Sequence, residues 1–216
     1  MNILKAIHIL GGSLLLLLGL VQLILPKHGK VHRALGQWYV AIMMMVCMTA
    51  LYISAQSMLK GLTTGAIFLF SIGLFSLYGV LSGYLLGKFK TRRQLFLGRA
   101  MVLLGAMIGA MLLTIAFRFW SSVGLICLPF GILQVLGTRQ DWQYYWRRHK
   151  AMPHANQYWV FGHSGRMIGS YIACVTAFLV NVVSCPYPIV LWLGPTVVGT
   201  ICIIYFQRQL RKTWSQ

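Results

Sequence analysis

Seven membrane-spanning helices in a single all-α domain are the architecture this chain predicts. Three observations predict it: composition, seven long apolar runs, and the sorting of basic residues between those runs. Hydrophobic residues make up 58% of the 216 positions and charged residues 9%, with a mean hydropathy of +0.74. A soluble domain carries about a quarter charged residues, so this chain is built for lipid. Its net charge of +18 comes from 19 Lys and Arg against one acid, Asp141. Gathered into one basic domain, such an excess would indicate nucleic acid. Here it is scattered through short segments between apolar runs, which is the pattern of membrane topology. Nucleic acid is therefore not an expected partner.

A hydrocarbon core of roughly 30 Å takes about 20 residues of helix. The first run, 4–25, has only Lys5 ahead of it and no small-residue cleavage site behind it. That reads as a retained helix rather than a signal peptide. The second run is 35–54, the third 62–86 and the fourth 95–117. The fifth, 123–136, is the weakest: it is short, contains Pro129 and Gly131, and has a re-entrant segment as its alternative. The sixth is 167–184 and the seventh 189–206. Small residues recur every four positions at Gly79, Gly83 and Gly87, at Gly105 and Gly109, and at Gly165, Gly169, Ala173 and Ala177. Such stripes let helix backbones approach closely in a lipid setting; room for a flat cofactor is the second reading.

The basic residues orient the bundle. With the N-terminus outside and seven crossings, the inner segments hold 16 of the 19: Lys27, Lys30, Arg33, Lys88, Lys90, Arg92, Arg93, Arg99, Arg139, Arg147, Arg148, Lys150, Arg166, Arg208, Arg211 and Lys212. The outer segments hold only Lys5, Lys60 and Arg118. Lys and Arg resist translocation, so the C-terminus is expected in the cytoplasm. Dropping the fifth helix worsens this division. The cytoplasmic loop 137–162 is crowded with Trp142, Tyr144, Tyr145, Trp146, Tyr158 and Trp159 among Arg147, Arg148, His149, Lys150 and His154. It is expected to lie in the headgroup layer against anionic lipid, or else to form a lid over a site at the inner mouth of the bundle.

Ionisable groups at membrane depth are candidates for function. By these spans no carboxylate lies in the bilayer, which argues against a pump with Asp or Glu relays. A retinal protein needs a lysine in the last helix, and Lys212 lies beyond it. Cys47, Cys127, Cys174 and Cys202 fall in apolar runs, Cys185 at an outer turn, and no CxxC spacing occurs. Packing is the reading for these, and also for Met43, Met44, Met45 and Met48, which point around their helix rather than form one copper-binding stripe.

Histidine remains. His8 lies in the first helix near its outer end. His32 opens the second in Lys30-Val31-His32-Arg33, with Gly36 one turn on and Tyr39 beyond. His163 opens the sixth in His163-Ser164-Gly165-Arg166, with Ser170 further along. His28, His149 and His154 stand in basic loops, where a solvated side chain is the plain reading. The first helix separates His8 from the inner histidines by roughly 25 Å, so His8 and His32 cannot share one metal. His32 and His163 both lie at inner helix ends. If their helices are neighbours, the two imidazoles suit the axial positions of a b-type haem, with Arg33, Arg148 and Arg166 as candidate partners for propionates. A snorkelling or hydrogen-bonding histidine is the competing reading for His8, His32 and His163.

His8 with Gly12, the segment 30–39, and the string from His163 to Phe178 together resemble a family of bacterial predicted membrane proteins, domain of unknown function 2306. The resemblance covers most of the chain. It implies a multi-pass protein of the bacterial inner membrane in which His8, His32, Arg33, His163 and Arg166 match the polar positions of the family pattern, and it implies no activity. Haem b or metal binding with electron transfer, His32 and His163 being the ligands and His8 a further cofactor-site candidate, is the expectation from residue chemistry. The alternatives are binding or transport of an anionic or lipidic small molecule, and a role in assembling a membrane complex. A membrane enzyme with His8 or His163 as general base is weakened by the lack of a carboxylate partner.

Overall fold

The computed structural model describes residues 3–26, 29–86, 92–119, 121–147 and 155–214. His28, Arg148, His149, Lys150, Pro153 and His154 lie outside the described residues. Among those described, the chain is seven helices and no strand: α1 Ile3–Ile24, α2 Lys30–Lys60, α3 Thr64–Leu86, α4 Arg92–Arg118, α5 Ser122–Arg147, α6 Ala155–Val182 and α7 Pro188–Trp214. All seven are long and apolar enough to cross a membrane.

Local chemistry marks several of the ends. Gly29 turns the chain into α2 at φ +112°, a conformation costly for any residue with a Cβ. The Thr63 hydroxyl accepts a hydrogen bond from the Ala66 N–H at 3.2 Å and caps α3. Pro188 is the first residue of α7, where its missing N–H costs nothing. The helices overrun the apolar runs because polar residues in the interface continue a helix as readily as they end it.

The largest departure from expectation is at α5. It is a continuous helix through Pro129 and reaches Arg147, so the segment expected as the loop 137–162 is mostly the last turns of α5 and the first of α6. Pro129 removes one hydrogen bond, which the packing of α5 along α4 tolerates. Gly131 lies against Leu112 and Leu113, and Gly109 against Gln134 and Val135. The re-entrant alternative is thereby set aside.

Helices α1, α2, α3 and α6 close a ring, with α1 on α2, α2 on α3, α3 on α6 and α6 back on α1. Helices α4 and α5 form a tight pair joined to the ring through α3, and α7 rests on α6 and α5. The ring buries Leu15, Tyr39, Met43, Cys47, Val80 and Cys174. A second core between α3, α4 and α5 buries Phe68, Ile108, Leu112, Ile126 and Phe130, and Trp192 of α7 meets Phe68 edge-on at 4.8 Å. Close approach is real at some of the small-residue positions: a Cβ on Gly83 would meet the Arg166 stem, and one on Gly105 the Tyr78 and Thr138 hydroxyls. Nothing stands within 4 Å of Gly79 or Gly169, so the stripes are not packed along their whole length.

Candidate functional site

One end of the bundle gathers the C-terminal ends of α1, α3, α5 and α7 and the N-terminal ends of α2, α4 and α6. It carries most of the basic residues and is called the basic end below. Two polar clusters lie there.

The first cluster centres on Asp141. The expectation that no carboxylate enters a span is corrected here: α5 continues past Leu136, and Asp141 is 2% exposed within it. Gln134, Thr138 and Asp141 fall at successive turns on one face of α5, and all three are buried. Asp141 Oδ2 accepts a charge-assisted hydrogen bond from Arg166 Nη2 of α6 and a second from the Tyr78 hydroxyl of α3 at 2.9 Å. Gln134 Nε2 donates to the Gly105 carbonyl of α4 at 3.2 Å and to Thr138 Oγ1 at 3.3 Å. Four helices thus share one network. Burying a lone charge in hydrocarbon is expensive, and pairing Asp141 with Arg166 removes the net charge. Arg166, expected as a free cation for a propionate or another anion, is instead neutralised by Asp141.

The aromatic segment around it is also resolved by face. Tyr144 and Tyr145 are 2% and 3% exposed and pack with Leu86 and Val102, whereas Trp142 and Trp146 face outward. It is a two-faced helix end. The lid reading finds no support in the described part, which is packed helix.

The second cluster holds the histidines. Tyr39 of α2 and Ser170 of α6 share a hydrogen bond of 3.0 Å, and one turn further Cys174 Sγ donates to Met43 Sδ at 3.5 Å. Both contacts join residues 131 positions apart. A constant offset means that α2 and α6 run parallel and in register. His32 and His163 have the same offset, each seven residues before its partner in the Tyr39–Ser170 bond. Seven residues are two turns, about 10 Å, and return to nearly the same face. The two histidines therefore occupy equal depth on the α2 and α6 stripes that face one another. The second and sixth helices are not packed neighbours: they stand diagonally across the ring, separated by α1 and α3, and meet through the Tyr39–Ser170 and Met43–Cys174 side chains.

The imidazole of His163 is held from behind. Its Nδ1 lies 2.9 Å from the Gly83 carbonyl, which only accepts, so Nδ1 carries the proton of that bond and, in the neutral imidazole, Nε2 the lone pair. Histidines that ligate a metal are commonly oriented by such a bond. At the N-terminal end of α2, the His32 carbonyl accepts from Gln22 Nε2 of α1 at 3.0 Å. Arg33 beside it is exposed. Among the described residues no group of three or more His, Cys, Asp or Glu side chains is spaced to hold a metal ion. A haem asks for less, since the macrocycle supplies the remaining donors and two axial histidines suffice. His32 and His163 are the two side chains that would hold such a group, with Arg33 exposed beside His32, while Arg166 is paired with Asp141.

His8 stands apart from this site. Its Nδ1 lies 3.2 Å from the Val46 carbonyl and 3.0 Å from Thr49 Oγ1, toward the opposite end of α2. It joins α1 to α2 there, and the depth separation expected from the sequence is what the fold shows. Tyr39, Ser170, Gly83, Tyr78 and Asp141 had no part in the sequence-based site. For Asp141 a signal existed: Gln134, Thr138 and Asp141 continue the helical period of the fifth run beyond its last apolar residue.

These features define a class: an integral, multi-pass helical membrane protein whose basic side chains are concentrated at one end. The match to the family model of predicted membrane proteins DUF2306 extends over residues 5–142. The chain belongs to that family. No curated protein and no solved structure matches it.

Proposed function

We propose that this protein binds a b-type haem between α2 and α6 at the basic end, with His32 and His163 as axial ligands, and takes part in electron transfer. The supporting observation is the shared offset: His32 and His163 stand in the same register as two direct α2–α6 contacts. The bond from His163 Nδ1 to the Gly83 carbonyl would keep Nε2 pointed at a ligand, and exposed Arg33 would pair with a propionate. A haem held there supplies one-electron chemistry, its potential tuned by the apolar surroundings and the hydrogen bonds behind the ligands. The positive-inside rule puts this end in the cytoplasm, and His8 outside the site.

The test is an absorption spectrum of the detergent-purified full chain, expressed with ample haem precursor, in oxidised and reduced states. A Soret band that shifts on reduction, is lost in His32→Ala and His163→Ala, and persists in His8→Ala is the expected outcome. A folded, colourless wild-type protein overturns the reading. In that event the exposed cation Arg33 favours an anionic small molecule at the same end, tested by thermal stabilisation with organic anions that Arg33→Gln removes.

A further inference from the structure

The outward face of α5 changes character along its length. Ile132, Val135 and Leu136 are exposed and apolar, as a lipid-facing surface requires. Arg139 follows, also exposed, and then Trp142 and Trp146, whose rings stack with centroids 6.5 Å apart. Residues 132, 135, 139, 142 and 146 step by three or four and share one face. Helix α4 adds Arg99, exposed, with its guanidinium 5.2 Å from the Trp146 ring centre. Gly98 against Tyr145 and Gly105 against Thr138 set the antiparallel register of the pair. In that register Arg99 is level with Trp146, and Arg139 lies two turns deeper, roughly 10 Å.

Tryptophans mark the interfacial layer. Arg139 is therefore inward of that layer on a surface that faces lipid, where a cation is costly unless it reaches a counter-charge. The described helices offer no second acidic side chain: the single one in the sequence, Asp141, is turned to the opposite side of α5, buried and bonded to Arg166. A second copy of this chain brings no free acid either and adds like charge. At this depth on a lipid-facing surface, the negative group nearest to hand for Arg139 is a lipid headgroup.

We infer that the α4–α5 face at the basic end is a binding site for an anionic phospholipid. Arg99 and Arg139 hold the phosphate from two depths, the Trp142 and Trp146 indoles flank the glycerol region, and Ile132, Val135 and Leu136 carry the acyl chains. A zwitterionic lipid fits less well because its own cation opposes the two arginines. The site uses neither of the haem-ligand candidates, so it stands or falls independently of the function proposed above.

The full chain reconstituted in nanodiscs of equal phosphatidylglycerol and phosphatidylcholine, then extracted in mild detergent, tests this by the lipids it retains in native mass spectrometry. Each cation near an anionic headgroup gives about a fivefold preference, so Arg99→Gln with Arg139→Gln lowers the retained phosphatidylglycerol-to-phosphatidylcholine ratio about thirtyfold, and either alone about fivefold. The pair Arg99→Lys with Arg139→Lys keeps most of it. An unchanged ratio in the Gln variants overturns the site. So does a change in oligomeric mass without a change in retained lipid, which makes the face an interface between copies. If the double Gln variant does not fold, the single variants carry the same comparison.

Discussion

The Asp141 cluster and the His32–His163 pair lie at the same end of the bundle and both draw on α6, yet they are bonded differently. Around Asp141 the charged groups answer one another: Arg166 and the Tyr78 hydroxyl converge on one carboxylate oxygen, and Gln134 ties in Thr138 and the Gly105 carbonyl. His163 is held by one bond, from its ring Nδ1 to the Gly83 carbonyl of α3, among the described residues. The difference teaches how to read polar groups in a membrane bundle. A charge matched within the fold clamps helices together, whereas an imidazole bonded to a backbone carbonyl is oriented without being neutralised.

The comparison breaks most sharply at Asp141. Asp141→Ala leaves the Arg166 guanidinium buried without its counter-charge and should cost about 3–5 kcal/mol in reversible unfolding of the reconstituted protein. Adding Arg166→Met should recover most of that loss, because the uncompensated charge is then gone. If the single variant lost under about 1 kcal/mol, the cluster would be a solvated pair rather than a clamp.

Next in size is a contrast within α1. A Cβ on Gly19 would run into the Tyr171 ring of α6, whereas nothing stands within 4 Å of Gly12. Gly19→Ala should destabilise by about 1–3 kcal/mol through overpacking. Gly12→Ala should stabilise by up to about 1 kcal/mol through helix propensity alone. Equal effects in thermal melts of the two variants would mean that α1 does not seat on α6 at Gly19.

The smallest effect tests the register of α2 and α6. Tyr39→Phe removes the 3.0 Å bond to Ser170, and Ser170 keeps its bond to the Met167 carbonyl. The expected loss is about 0.5–1.5 kcal/mol. Coupling to Ser170→Ala in a double-mutant cycle should account for most of it; a coupling of zero would remove the in-register contact on which the histidine pairing rests.

Much of the fold was legible in the sequence because span number depends on local composition. Seven apolar runs and the division of 19 basic residues were enough to count seven helices and to keep α5 despite Pro129. The separation of His8 from His32 followed from helix rise alone and holds in the structure. The site was legible only in part. The apolar run of α5 stops at Leu136, so hydropathy ended the helix there and put Asp141 in a loop. The helix goes on to Arg147 because its next inward positions, Thr138, Asp141, Tyr144 and Tyr145, are buried against neighbouring helices rather than bathed in lipid.

By itself the sequence determined the class of protein, the number of helices long and apolar enough to cross, and the separation in depth of His8 from His32, all properties carried by one helix at a time. Which polar residues answer one another was decided only by the tertiary structure. Asp141 meets an arginine 25 positions away and a tyrosine 63 away, and His163 is oriented by a carbonyl 80 positions away. No local pattern encodes such partners. They follow from which glycines let α3, α4, α5 and α6 approach, and from the rule that a charge buried from water must find its opposite within the fold.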